Sequence, residues 1–321
     1  MRARLPWVSV VLLAALVLAA ILAPLISPHD PEEQSLLLRL NPPGWGSGGD
    51  WAYPLGTDGL GRDVLSNILY GLRVSLLAGF AAVAISVALG GVTGLLAVYR
   101  SGGWLDTIAM RLVDIQLSLP AVLIALAVLA LSGRGLWKVI AVIGVVGWAQ
   151  YARLVRSSVL SEARQDYVVA AMLAGASPGR IVFRHLLPNV LGPLLAQISV
   201  DIPRAVELEA SLSFLGLGVA VTTPSLGLRV SQGYQYLFSG AWWPSVLPGA
   251  ALVLLVLSEN LIGDWVRDAL DPRTRGRWAR SVRAGGGTRG SRHPNQTPRE
   301  PRQRADPIQA RRARYERRSE S

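Results

Sequence analysis

The sequence predicts an all-α protein embedded in a membrane, on three observations. Over 321 residues the chain is 51% hydrophobic and only 17% charged, too little charge for the surface of a soluble domain of this length. It carries repeated apolar runs, of which Trp7 to Ile26 is the first; about 20 such residues in a helix cross a hydrocarbon core. Its basic residues outside the C-terminal tail gather on alternate connections between those runs, the bias that sets membrane orientation.

Six spans are expected, at about 7–27, 72–98, 108–131, 136–155, 189–211 and 243–265. The first has Arg2 and Arg4 on one flank and Pro28-His29-Asp30 on the other. A cleaved signal peptide is the alternative, but its apolar core is usually shorter, so a retained helix is favoured. In the second, Gly79, Gly90, Gly91 and Gly94 would let neighbouring helices approach closely. Asp114 lies in the third, with Arg111 one turn earlier as its expected partner. Trp137, Trp148 and Tyr151 suit interface anchors in the fourth. The fifth is the weakest by hydropathy and holds Asp201, Arg204, Glu207 and Glu209. Acids at membrane depth, here Asp114 and Glu209, point to a solute pathway or to helix packing.

Arg2 and Arg4, Arg100 and Arg111, the group from Arg153 to Arg184, and Arg267 fall on one side of six spans. The opposite side receives an acidic first loop with Asp30, Glu32, Glu33, Asp50, Asp58 and Asp63. The bias predicts both termini in the cytoplasm. In that outer loop, 28–70, Asn41-Pro42-Pro43-Gly44 reads as turns. Tyr234, Tyr236, Trp242 and Trp243 read as an interface belt. From Arg273 onward fifteen arginines face four acids, a surplus equal to the whole chain's net charge of +11. The basic character therefore belongs to a tail that cannot form a core. It reads as a disordered, solvated cytoplasmic extension, and no specific nucleic-acid partner is expected.

Several chemistries are excluded or unsupported. Without cysteine there is no disulfide, thiolate metal site or cysteine nucleophile. Lys138 is the only lysine, so no phosphate-binding GxxxxGK[ST] loop exists; if ATP drives this protein, another chain binds it. His29, His185 and His293 are far apart and show no metal-ligand spacing. No catalytic triad has convincing spacing either.

The most informative segment is 161–188, on the cytoplasmic side. Glu162 to Ala174 suits a short helix, and Gly175 a helix stop. Ser177-Pro178 places an N-cap before a proline at the first helical position. A second short amphipathic helix with apolar Ile181, Val182, Phe183 and Leu186 and polar Arg180, Arg184 and His185 is expected to end at Pro188.

With Ala170-Ala171, Gly175 and Leu187-Pro188, this segment resembles the cytoplasmic loop on which bacterial ABC-importer permeases dock their ATPase. More broadly, Pro54-Leu55-Gly56-Thr57-Asp58, Gly61-Arg62-Asp63-Val64-Leu65-Ser66, Met110 to Asp114, Gly147-Trp148, Tyr151 to Arg156, Phe183 to Asn189, Ala210 to Gly218 and Arg267 to Arg273 run in order over about residues 5–273. Together they resemble the "C" permease of the dipeptide/oligopeptide/nickel group.

The resemblance implies a six-transmembrane-helix fold of the type I importer, MetI-like class, in a bacterial inner membrane. It divides the chain into 1–70 (first helix and outer loop), 71–272 (permease core) and 273–321 (tail). It implies a sister permease, two ATPase subunits carrying ATP and magnesium, an extracytoplasmic solute-binding protein and a peptide substrate, with no cofactor or metal on this chain and no covalent chemistry. Tyr167, Ala170, Ala171, Gly175, Ala176, Ser177, Arg184, His185 and Pro188 map to the ATPase-coupling loop. Asp58, Arg62 and Asp63 map to the outer loop, either shaping it or meeting the binding protein.

Two positions depart from the family pattern. Val169 stands where the family has the glutamate of Glu-Ala-Ala, and Asp201, Pro203, Arg204 and Glu207 stand where small or apolar residues are usual. Asp201–Arg204 and Arg204–Glu207 are both spaced for pairing on one helix face. Exposure of that face to lipid would be costly, so it is expected to face the pore or the sister permease. A changed substrate and an inactive copy are both compatible with these departures. Nickel, glutathione or another small solute are alternative cargoes. An ion-coupled secondary transporter is a rival class, with little support from six spans that show no inverted repeat.

Overall fold

The computed structural model describes residues 6–99 and 103–270. The basic tail from Arg273, the end of the Arg267–Arg273 motif, and Arg2, Arg4 and Arg100 lie outside the described residues. Within 6–270 the apolar runs form helices: α1 (Trp7–Ile21), a short α2 (Ala23–Ile26), α3 (Val64–Tyr99), α4 (Trp104–Leu117), α5 (Ala121–Ser132), α6 (Leu136–Glu162) and α7 (Asp166–Leu173). The single turn α8 (Pro178–Arg180), α9 (Leu187–Phe214), α10 (Leu226–Tyr234) and α11 (Trp243–Leu270) follow. Among the described residues four segments are long and apolar enough to cross a membrane, Val64–Val98, Leu136–Glu162, Arg184–Phe214 and Trp243–Leu270, and the first expected span is a shorter apolar helix, Trp7–Ile21.

The third expected span is corrected by the structure. In place of one helix over 108–131, α4 and α5 meet at 91°. Pro120 explains the break: it caps α5 in an extended conformation (φ −60°, ψ 125°) and disfavours helix at Leu119 before it. The second span begins at Val64 rather than 72, so the expected boundary at 70/71 falls inside α3. Its start is fixed by Asp63, whose carboxylate accepts the Ser66 backbone N–H at 2.8 Å, an N-cap bond.

The centre of the fold is the pairing of α3 with α6, and small residues allow it. A Cβ on Gly90 would lie 2.4 Å from the Trp148 carbonyl, and one on Gly94 2.7 Å from that of Ala152. From the other side Gly144 meets Ile85 and Gly147 meets Ser86. The Ser86 hydroxyl donates to the Gly144 carbonyl at 2.8 Å. Gly79 packs on Val206 of α9, but Gly91 faces open space, contrary to the expectation for all four glycines.

Where α11 crosses α9, Pro203 lacks the N–H that would bond the Ser199 carbonyl four residues earlier. Gly263 sits against that freed oxygen, 2.4 Å from where its Cβ would be. The same arrangement recurs where Pro248 frees the Pro244 carbonyl and Gly233 of α10 packs onto it.

Candidate functional site

The loop between α6 and α9 is set by two local features. Helix α7 ends in a paired cap: the Ala176 N–H bonds the Ala171 carbonyl and the Gly175 N–H that of Met172, 3.1 and 3.0 Å. Gly175 takes φ +77°, where a Cβ is strained. The second feature is Tyr167, whose hydroxyl donates to Glu162 at 2.6 Å and accepts from Asn189 at 2.8 Å. It ties the ends of α6 and α9 to α7, and donation to the carboxylate holds its pKa above the usual phenol value.

Two boundaries differ from expectation. Glu162 closes α6 instead of opening the loop helix, which starts at Asp166. The second short helix does not end at Pro188: α8 continues through a wide turn, Ile181–Leu186, into α9. Pro188 is the second residue of α9, and the wide turn before it, closed by the Leu187 N–H on the Val182 carbonyl, carries the helix past the N–H that proline lacks.

Helix α7 buries only Val168. Val169 (44% exposed), Met172 (48%) and Leu173 (85%) point outward, as do Ala170, Gly175 and Ser177, while Ala171 and Ala176 are half-buried. Arg184 is exposed and His185 half-buried beside the Tyr167 ring, 6.2 Å between centroids. An uncharged apolar face on a short connecting helix is the kind of surface that a partner covers.

A cleft of about 330 Å³ opens between α3, α5, α6 and α9. Asp201, Arg204, Glu207 and Ser211 supply one wall; Gln150 and Tyr151 face them. Arg204 bonds Asp201 at 3.2 Å, and Gln197 bonds the other oxygen of that carboxylate at 2.9 Å. No Arg204–Glu207 pair is present among the described residues. Asp201, Arg204 and Glu207 of the fifth expected span thus share one polar face.

Of the other two acids expected at membrane depth, Glu209 lies in a packed polar cluster and Asp114 in an exposed ion pair. Glu209 is fully buried, and Ser75, Ser213 and Ser225 donate to it at 3.0, 2.7 and 2.8 Å, joining α3, α9 and the segment before α10. Asp114 pairs with Arg153 of α6 at 2.5 Å, not with Arg111. Sequence reasoning passed over Asp106, gripped by Nε and Nη2 of Arg156 at 2.7 and 2.8 Å. It also passed over Glu259 of α11, buried with no hydrogen-bond partner on either carboxylate oxygen among the described residues. Helical spacing alone does not show such contacts, because their partners lie on other helices.

The outer-loop residues form a knot at the head of α3. Asp58 accepts the backbone N–H groups of Leu60 and Arg62 and the Arg62 guanidinium, the last at 2.7 Å. Gly61 turns the chain at φ +74° with its Cβ position blocked by Ser35. Trp243 donates to the Thr57 carbonyl at 3.0 Å, fastening the loop to α11. Asp58, Arg62 and Asp63 are all buried, which favours shaping the loop over meeting a partner.

Residues 86–276 match the family described as binding-protein-dependent transport system inner membrane component. The chain belongs to that family. Residues 1–43 match the N-terminal membrane domain of oligopeptide transport permease C. The dipeptide transport system permease protein of Haemophilus influenzae is 42% identical over 266 residues, 83% of this chain and 90% of the relative. The di/tripeptide transport system permease protein of Pseudomonas aeruginosa is 43% identical over 258 residues, 80% and 84% of the two chains. The inward-facing MetNI methionine ABC transporter superposes with a TM-score of 0.52 at 23% identity, over 64% of this chain and 96% of that one, and so shares the fold. This binding-protein-dependent permease is accordingly a non-catalytic, multi-pass inner-membrane subunit of an ABC importer, and ATP hydrolysis belongs to a separate subunit.

Proposed function

We propose that this permease forms half of the translocation pathway for di- and oligopeptides. It pairs with one sister permease, takes force from two ATPases carrying ATP and magnesium, and receives cargo from an extracytoplasmic binding protein. Both termini lie in the cytoplasm, on the side of α7. The single observation that carries the reading is the polar face of α9. Asp201, Arg204 and Glu207 line an open cleft in the middle of a spanning helix, where lipid contact is unfavourable and a watered path is not. Peptides bear an ammonium and a carboxylate, and the cleft offers both signs of charge. The peptide-permease names of the relatives agree with this. The exposed apolar face of α7 is the surface offered to the ATPase; Val169 lies on it, so docking here relies on apolar contact at that position.

Uptake of a labelled dipeptide by the reconstituted complex tests the reading. Wild type is expected to accumulate peptide with ATP, and R204A with E207A to slow uptake about tenfold, one kinetic factor of roughly 1.4 kcal/mol. ATP-dependent uptake of nickel or glutathione in place of peptide would assign a different cargo. Accumulation driven by an ion gradient without ATP would overturn the importer mechanism.

A further inference from the structure

A second cavity, of about 180 Å³, lies beside the outer-loop knot, away from the cleft, between the head of α3, α10 and the start of α11. Arg229 lines it and is 3% exposed. One of its nitrogens, Nη1, donates to Gln232 at 2.8 Å, while Nε and Nη2 are buried with no partner among the described residues. Arg62 also lines the cavity, but Asp58 neutralises it at 2.7 Å. Among the described residues no acid lies within ion-pair distance of Arg229. Burial and the neighbouring Arg62 lower its pKa to about 10, which leaves it charged at neutral pH. A buried guanidinium with two idle donors requires an explanation.

Which donors are idle indicates the ligand. Nε and Nη2 form the side-on fork of the guanidinium. Arg156 uses the same two atoms to hold both oxygens of Asp106, at 2.7 and 2.8 Å. Planar, bidentate geometry of this kind selects a carboxylate. The cavity holds one further orphan of opposite character. Asn67 is 2% exposed; its Nδ2 donates to the Asp63 carbonyl at 2.8 Å, which fixes the amide orientation and leaves Oδ1 as an unpartnered acceptor. Both residues line the same cavity, so a ligand that satisfies both carries a carboxylate and an N–H.

We propose that this cavity binds the C-terminal residue of a peptide, its free carboxylate on the Arg229 fork and its backbone N–H on Asn67 Oδ1. Gln232 holds the fork in place by accepting from both Arg229 and Arg62. A carboxylate without an N–H, such as propionate, leaves Asn67 unsatisfied. The assignment deepens the peptide reading above and rests on it for the source of the ligand.

The test is ¹⁹F NMR of N-trifluoroacetylalanine titrated into the purified whole importer without ATP. Saturable broadening is expected, displaced by N-acetylalanine but not by N-acetylalaninamide, and displaced only weakly by propionate. Affinity should fall about tenfold or more in R229M, the equivalent of one charge-assisted pair. R229K, which keeps the charge but not the fork, should fall between. Assembly of each variant complex is checked by size-exclusion chromatography, and if R229M does not assemble, R229K and N67L carry the comparison. Equal binding by wild type and the variants, or equal displacement by the amide, would overturn the site. Displacement by propionate as strong as by N-acetylalanine would overturn the peptide-end assignment. No transport is measured, so failure of the dipeptide-uptake experiment leaves this result standing, and the reverse also holds.

Discussion

Asp58 shows how one side chain in this permease organises a loop. Its carboxylate takes two backbone N–H groups and a guanidinium, and Arg62 passes the restraint on to Gln232 of α10. Removing the acid leaves Arg62, 3% exposed, without its counter-charge. D58A is therefore expected to cost about 3–5 kcal/mol, the range for breaking a buried ion pair. Limited proteolysis of the outer loop in the purified complex measures this, with cleavage between α2 and α3 appearing in D58A alone. Asp58 and Arg62 stood out in the sequence through the motif they share with the family, and their pairing came only with the folded loop. Nothing local in the sequence singles out Arg229, because its surroundings come from α3 and α11, far away along the chain.

Among the elements, α7 has the simplest division of labour. It is eight residues long, holds to the fold through Val168 and Tyr167, and turns its other apolar residues outward. Leu173 is 85% exposed, so a charge there meets no neighbour among the described residues. L173D should change thermal stability by less than about 0.5 kcal/mol, as is usual for exposed positions. If the face docks the ATPase, the same change should weaken ATPase recovery about tenfold in co-purification, the effect of losing one interface anchor. Undiminished recovery would place the docking surface elsewhere. The helix and its glycine stop followed from local propensity and from the need for φ > 0 at Gly175. The continuation of the next helix past Pro188 did not, because a proline reads as a stop until the wide turn before it is known.

At the scale of the whole molecule, two kinds of surface share the same spanning helices. Gln150, Arg204, Glu207 and Ser211 present a polar face, whereas Val253 and Leu257 of α11 are exposed and apolar, 62% and 50%. The chain contains no cysteine, so single cysteines can be introduced without background. In the membrane-embedded complex a charged, membrane-impermeant maleimide should label Q150C and S211C, and labelling of S211C should change between nucleotide-free and ATP-bound states. V253C and L257C should stay unlabelled if they face lipid. Labelling of the α11 positions with silence at the cleft would reverse which face is watered.

The sequence alone determined the membrane class, the apolar runs, the loop helix α7 with its glycine stop and the charged stripe of α9. Each depends on composition or on neighbours within one or two helical turns. Only the tertiary structure decided that the third run bends by 91°, that Asp114 pairs with Arg153 and that Glu209 binds three serines. It alone left Nε and Nη2 of Arg229 and Oδ1 of Asn67 unpartnered among the described residues, in the lining of one cavity. The physical reason is reach: helical periodicity fixes which residues share a face, but the partner across an interface depends on how rigid helices cross, and that is set by glycines and prolines acting on carbonyls of other helices.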